Sequence, residues 1–320
     1  MDIAPDLVTV VVPAYNAQST LDETLWSVRA QTHANLEILV VDDGSIDATA
    51  SIAERHAADD KRIKVIRQPN QGVAAARNKG LDLARAEYVA PVDADDLWHA
   101  TKIQKQLALM KERGARVGLV YCWSAHIDER SRIIGRRHTP TFEGNVFGHL
   151  CRLNLVGNGS AALMRAEAMR RAGGYDPELR RKSAQGSEDI KLYLQIALGY
   201  EFAVVPEYLT GYRRVSGNMS ADWQQMYRSF ELVAASFEAE DPLTREGLNA
   251  GRNNLLRTLF IRAVKEFQFA TALGIYRALL KRDRYYAINL LARVPAAIAR
   301  NFLESVTGKR FNLKADDTLM

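Results

Sequence analysis

The stretch AEYVAPVDADDLW, residues 86–98, decides how the rest of the chain is read. Tyr88, Val89, Ala90 and Val92 make a short apolar run of the kind that fills a buried strand. Three carboxylates follow within four positions: Asp93, Asp95 and Asp96. Like charges held that close repel one another unless something positive sits among them. A hard divalent cation that takes oxygen ligands and carries phosphate on its far side supplies that charge. A solvated acidic loop is the plainer alternative.

Outward from this stretch the same pattern recurs. Residues 7–12, stopped by Pro13, and residues 36–41, 63–66 and 118–123 are apolar runs that read as strands. Helical stretches separate them. Thr20 and Glu23 have the spacing of a capping box ahead of Leu21, Leu25 and Val28. Asp47 can cap the next helix, residues 72–84 form an alanine-rich helix carrying Arg77, and residues 101–113 form another. Short strands alternating with helices predict an α/β fold with a mostly parallel sheet and helices on both faces. Ligands in such sheets sit at the carboxyl ends of the strands. The turns holding Pro13, Ala14, Tyr15 and Asn16, then Asp42 and Asp43, then residues 93–96, should therefore meet in one crevice.

Beyond residue 142 the pattern changes. Residues 161–164 read as a strand, 165–172 as a short helix, and 173–177 as a tight turn; a basic loop with Arg180, Arg181, Lys182 and Ser183 comes next. Glu188 and Asp189 open a helix, and residues 202–205 and 209–213 read as two strands. After Asp222 the chain becomes helical, with Leu255, Leu259, Ala263 and Phe267 on one face and a further helix over 288–302 around Pro295. The expected organisation is an α/β domain over 1–220 and a basic helical extension over 221–320.

Composition excludes several classes. Of the 320 residues, 47% are hydrophobic and 25% charged, enough for a large core and ordinary for a globular protein. The net charge of +5 is uneven: residues 251–320 hold 13 Lys+Arg against 5 Asp+Glu, and the remainder 30 against 33. The basic excess belongs to the tail, and no nucleic-acid motif accompanies it. Cys122 and Cys151 suggest free thiols in a reducing compartment. No apolar run reaches transmembrane length and the start MDIAPD lacks a signal peptide's basic residues, so a cytoplasmic protein is expected. The six histidines show no zinc spacing. No Gly-x-Gly-x-x-Gly follows the first strand, which argues against a dinucleotide-dependent dehydrogenase. Gly157-Asn158-Gly159-Ser160 has no partnered histidine, which argues against a serine nucleophile.

VVPAYN at 11–16, VDDGSIDAT at 41–49, NQGVAAARNKG at 70–80, DADD at 93–96, and GGYDPEL at 173–179 followed by SED at 187–189 together resemble the inverting glycosyltransferase family 2. The resemblance spans roughly residues 6–215 and rests on several motifs in order, since any one of them is common. It implies a GT-A fold and transfer of a sugar from a nucleotide diphosphate donor, a UDP-sugar above all, to a saccharide or lipid-linked saccharide hydroxyl. It places Pro13, Ala14 and Tyr15 against the base and ribose, Asp43 on the base, and Arg77 in the nucleotide pocket. Asp93 and Asp95 match the metal motif, for Mn²⁺ or Mg²⁺, with Asp95 the more direct ligand and Asp93 nearer the ribose. Asp96 is either a partner of these two or a cap for the next helix. Glu188 and Asp189 match the pair that supplies the base, Asp189 taking the acceptor proton and Glu188 orienting the acceptor or holding the helix start. Asn158 is a candidate acceptor contact. Many relatives carry Tyr-Arg-x-His after the last core strand; here Val215 stands in place of the histidine, which leaves Arg213, Arg214 or the loop over 180–182 to meet the diphosphate.

The tail admits contact with an anionic membrane at the inner face of the plasma membrane, or packing on the catalytic part or a sister subunit. The competing functions are a nucleotidyltransferase, which lacks its Gly-rich basic loop here, and a non-catalytic nucleotide-sugar binding or scaffold protein, which has no need of Asp93, Asp95 and Asp189.

Overall fold

The computed structural model describes residues 6–136, 139–214, 222–238 and 241–291. Four strands form the first half of the sheet: β1 (Val8–Ala14), β2 (Leu36–Asp42), β3 (Ile63–Arg67) and β4 (Tyr88–Pro91). They are all parallel, in the order β3-β2-β1-β4. β1, β2 and β4 are buried along their whole length, which is why they read as unbroken apolar runs instead of alternating ones. The helices between them are α1 (Leu21–Arg29), α2 (Thr49–Asp59) and α3 (Val73–Leu83).

The second half is mixed. β5 (Leu97–Trp98), α4 (Lys102–Arg113), β6 (Val117–Ile127), β7 (Ile133–Arg136), α5 (Phe147–Arg152), β8 (Ala162–Arg165), α6 (Ala166–Arg171), α7 (Glu178–Arg181), α8 (Glu188–Ala197) and β9 (Glu201–Arg213) follow in that order. β8 runs antiparallel between β4 and β6, β6 pairs parallel with β9, and β5 closes the edge antiparallel to β9. β7 pairs with β6 off this path.

Several expectations change in detail. β1 continues through Pro13 to Ala14, beyond Val11 where its pairing with β4 ends. Residues 202–205 and 209–213 are one 13-residue strand, bulged against β6. The expected capping box does not form: Thr20 makes no side-chain cap, and Glu23 accepts hydrogen bonds from Ser131 and Arg213 instead. Part of the expected basic loop is the single turn α7.

The last helices are α9 (Trp223–Ala235), α10 (Pro242–Lys265) and α11 (Phe269–Arg282), with residues 284–291 helical after them. Asp222 caps α9 by accepting from the N–H groups of Gln224 and Gln225, and Asp241 caps α10 through Leu243 and Thr244, with Pro242 in the first turn. α10 ends at Lys265, so Phe267 leaves the apolar face and is 78% exposed. The helix expected over 288–302 passes out of the described residues after 291, as do Val215 and the end of the chain.

These helices join the main core. Phe230, Val233, Ala234 and Leu248 pack in the same cluster as the sheet, while Leu256, Leu259, Phe260, Ile275 and Leu279 form a second cluster between α10 and α11. Gly251 lets α10 lie on the end of α5, since a Cβ there would stand 2.2 Å from the carbonyl oxygen of Cys151. Among the described residues no helix is long and apolar enough to cross a membrane.

Candidate active site

The parallel strands deliver their following turns to one place. Asn16, in the left-handed region at φ 48°, takes its backbone N–H to Ser45 Oγ, and its side chain accepts from Ile46 N–H, each at 3.0 Å. The turns after β1 and β2 are thereby joined. Asp42 serves its own turn by accepting from Ser45 N–H. Asp43 is buried; its two oxygens accept from the Gln68 side chain and from the N–H groups of Gln71 and Gly72, which fixes the loop leading into α3. A carboxylate offers about four acceptor positions, so one remains.

The loop after β4 is held from three sides. Thr24 of α1 donates to the carbonyl oxygen of Ala94 at 3.0 Å, and Ser27 accepts from Trp98 N–H. Asp96 is fully buried, where it accepts from Ser160 Oγ at 2.5 Å and from Arg213 N–H at 2.9 Å. Ser160 in turn accepts from Asp93 N–H. Of the two readings left open for Asp96, the structure shows the partner of this loop: no side-chain cap forms at α4. Asp95 forms no ion pair among the described residues, and it lines the cleft beside Asp93.

Arg77 brings the distant carboxylates together. From α3 it donates through Nη2 to Asp93 Oδ1 at 2.5 Å and through Nη1 to Asp189 Oδ1 at 2.7 Å. Its guanidinium lies 5.1 Å from the centre of the Tyr175 ring. Gly159 is required beside it: a Cβ at that position would meet Arg77 Nη2 at 2.6 Å. Burial works against the charge of Arg77, but Asp189 and Asp93 outweigh it and hold the group protonated.

Asp189 and Glu188 open α8. Glu188 is buried and turns back to accept from Gly186 N–H at 2.8 Å, so it holds the helix start. Ser187 N–H donates to Ser229 Oγ at 3.0 Å, which ties the α8 start to α9. Burial pushes the Asp189 carboxyl up to about 6, with Arg77 pulling it down and Asp93 and Glu188 pushing it further up. Burial, then the charge of Asp93, likewise pushes Asp95 up to about 6. Asn158 donates to Ser124 Oγ at 2.8 Å, while its Oδ1 is buried with no partner.

A cleft of about 1110 Å³ is lined by Pro13, Ala14, Tyr15, Asp43, Arg77, Asp93, Asp95, Asn158, Glu188, Asp189 and Arg214. The expected site residues thus share one cavity, with one exception. Arg213 is fully buried, and its guanidinium is spent on the carbonyls of Asp95, Asp128 and Glu129, on Ser131 and on Glu23. It braces the loop after β4 and is not placed to meet a diphosphate. Arg214 does line the cleft, paired with Glu266 at 2.7 Å.

Further residues around the site acquire their roles only in the fold. Ser160 was considered only as a nucleophile, and its role as the joint between Asp93 and Asp96 depends on β8 lying next to β4. Arg180 lies against Gly72, donates to Asn70, and has a buried Nη1 without a partner. The wall from α10, including Asn254, Arg257, Thr258 and Arg262, left no local signal.

The donor set suits a divalent cation. Four carboxylates, Asp93, Asp95, Glu188 and Asp189, stand around one guanidinium, and Asp95 is unpaired. Among the described residues no group of three or more His, Cys, Asp or Glu could by itself hold an ion. A metal here would draw its remaining ligands from phosphate and water, as Mg²⁺ commonly does.

The chain is similar to known glycosyltransferases in sequence and in fold. A putative teichuronic acid biosynthesis glycosyltransferase of Bacillus subtilis, TuaG, is 44% identical over 108 residues, 33% of this chain and 43% of that protein. An uncharacterized glycosyltransferase of Rickettsia conorii is 38% identical over 142 residues, 44% of this chain and 23% of the other. The chain thus spans less than half the length of these curated relatives. Among solved structures, S. aureus TarS 1–349 in complex with UDP-GlcNAc superposes with a TM-score of 0.63 at 18% identity, over 95% of this chain and 93% of that one. The mannosyltransferase PcManGT of Pyrobaculum calidifontis, in complex with GDP-Man and Mn²⁺, gives 0.56 at 22% identity, over 93% and 87%. These likenesses show the GT-A fold, including the C-terminal helices. The family model for glycosyl transferase family 2 matches residues 9–173, just over half of the 320, and the chain belongs to that family.

Proposed function

We propose that the protein transfers one sugar from a nucleotide diphosphate donor to a hydroxyl of a saccharide or lipid-linked saccharide, with inversion and with a divalent metal. The observation that carries this reading is the bridge Asp93–Arg77–Asp189 across one cleft, with Asp95 unpaired beside it. Pro13, Ala14 and Tyr15 line the cleft and hold the base and ribose, with the last open position of Asp43 reading the base. Asp93 and Asp95 are the residues that would hold the metal, which would supply charge neutralisation at the departing diphosphate. Arg180, with its unpaired Nη1, and Arg214 are the basic groups placed to meet phosphate oxygens.

Asp189 is the base. A sugar hydroxyl is a poor nucleophile, and a carboxylate within hydrogen-bond reach takes its proton as attack proceeds. Attack on the anomeric carbon from the side opposite the diphosphate inverts that centre. Asn158 Oδ1 accepts from an acceptor hydroxyl, and Glu188 keeps the α8 start in place. The TarS complex with UDP-GlcNAc and the PcManGT complex with GDP-Man and Mn²⁺ support a nucleotide-sugar donor and a metal here.

The test is a panel of UDP- and GDP-sugars incubated with the protein and Mn²⁺. Slow release of the nucleoside diphosphate from one donor is the expected result. Pyrophosphate released from UTP and a sugar phosphate would instead identify a nucleotidyltransferase.

A further inference from the structure

One face of α11 is packed and the other is open. Ala272, Ile275 and Leu279 are buried in the cluster that holds Leu256, Leu259 and Phe260 of α10. The opposite face carries Phe269, Leu273, Arg277 and Lys281, whose four-residue spacing puts them in one stripe along the helix. All four are exposed, Phe269 at 66% and Leu273 at 48%. Phe267, in the turn before α11, is 78% exposed, and its ring stands edge-on to that of Phe269 with 6.2 Å between centres.

Two features set this patch apart from singly scattered surface apolar residues. Phe267 lies in the left-handed region at φ 57°, where a side chain crowds the backbone and glycine is the usual occupant. An aromatic ring kept there at a backbone cost, and left in water, is accounted for by a partner that takes it out of water. The second feature is charge. Residues 267–282 contain no Asp or Glu, while Arg277 and Lys281 continue the apolar stripe. Rings at one end of a helix face and long cationic side chains along it match the surface of an anionic bilayer: the rings enter the acyl boundary and the cations reach the headgroup phosphates. A second copy related by two-fold symmetry would instead set a stripe without carboxylates against itself, leaving its cations unmatched.

The patch adjoins the cleft. Glu266, next to Phe267, pairs with the cleft residue Arg214 at 2.7 Å, and Arg262 one turn earlier lines the cleft. We propose that Phe267, Phe269 and Leu273, with Arg277 and Lys281 behind them, dock the protein on an anionic membrane surface, the edge of the cleft beside Arg214 lying next to that surface. The proposal goes beyond the glycosyl-transfer reading and does not depend on it, since it concerns the outer face of α11 and not the lining of the cleft.

The experiment is flotation of the full chain with vesicles of phosphatidylcholine alone and of phosphatidylcholine mixed with phosphatidylglycerol. The protein should float with the mixed vesicles, less with the neutral ones, and less again as salt rises and screens the charges. Replacing both rings, Phe267→Ser with Phe269→Ser, should weaken binding to the mixed vesicles at least about tenfold, the loss of two apolar side chains from the acyl boundary. Arg277→Gln with Lys281→Gln should weaken binding to the mixed vesicles by about tenfold and leave the weaker binding to neutral ones unchanged. No flotation with mixed vesicles at low salt, or equal flotation with both compositions, would overturn the proposal. Flotation indifferent to the ring substitutions would overturn it too, by assigning the contact to another part of the chain. A dimer in solution that the ring substitutions dissociate, in a protein that binds no vesicle, would give the patch to a second copy instead.

Discussion

At the residue scale the proposed reaction turns on Asp189. As the proposed base it must be unprotonated to accept a proton, and its carboxyl is raised to about 6. The pH profile of turnover is therefore expected to climb through about 6 and level off above it. Stability responds in the opposite sense. A folded-state value above the ordinary 3.8 means that the fold binds this proton more tightly than the unfolded chain does. The contribution to stability is full below pH 3.8 and is lost as pH rises through about 6. Asp189→Asn should cost about 10²–10⁴-fold in turnover, the usual share of general-base catalysis. Nucleotide affinity in that variant should stay near wild type; a calorimetric loss of nucleotide binding would count against the assignment. Sequence alone pointed to Asp189 and Asp93 as separate motifs. Their sharing of one guanidinium was hidden, because Arg77 is 16 positions from Asp93 and 112 from Asp189.

At the scale of elements, β1, β2 and β4 were legible because burial on both faces leaves unbroken apolar runs. β5, two residues long, is too short to leave a pattern, and β7 is a four-residue strand off the main path, paired with β6. The capping box failed because Glu23 is more strongly engaged by Arg213, a partner 190 residues away. The joint made by Ser160 was hidden for the same reason, since its partners Asp93 and Asp96 lie on another element. Ser160→Ala should leave Asp93 N–H and a buried carboxylate oxygen short of a partner, a loss of about 1–3 kcal/mol in urea unfolding. An unchanged midpoint would mean that water or Asp96 itself repairs the joint. Lys102 at the start of α4 offers a second check. It is fully buried, donates to Gln106 at 2.8 Å, and has its Nζ 4.1 Å from the Trp98 ring centre. Burial pushes its pKa down to about 8 from the ordinary 10.5. The unfolded chain therefore holds this proton over a range where the fold does not, and stability from this group rises with pH between about 8 and 10.5. Lys102→Met should remove that rise; parallel stability curves for the two proteins would contradict it.

Across the whole molecule, the cleft is made by two regions that the sequence presents as separate. The sheet supplies the carboxylates at its strand ends, and α9 and α10 supply the opposite wall and the tie from Ser229 to the start of α8. Apolar periodicity identified these helices as helices. It could not say which faces a cavity, because Arg257 and Arg262 look like solvated residues until α10 is laid on α5. The account as a whole depends on carboxylates from distant segments surrounding a metal-bound diphosphate. Calorimetric titration of UDP, and of GDP in parallel, into wild type and Asp95→Asn, each with and without Mn²⁺, tests this most directly. One nucleotide is expected to bind wild type with Mn²⁺ at least about tenfold more tightly than without it, and Asp95→Asn should lose that metal dependence. A nucleotide affinity that is indifferent to metal, or a metal effect that persists in Asp95→Asn, would contradict the account.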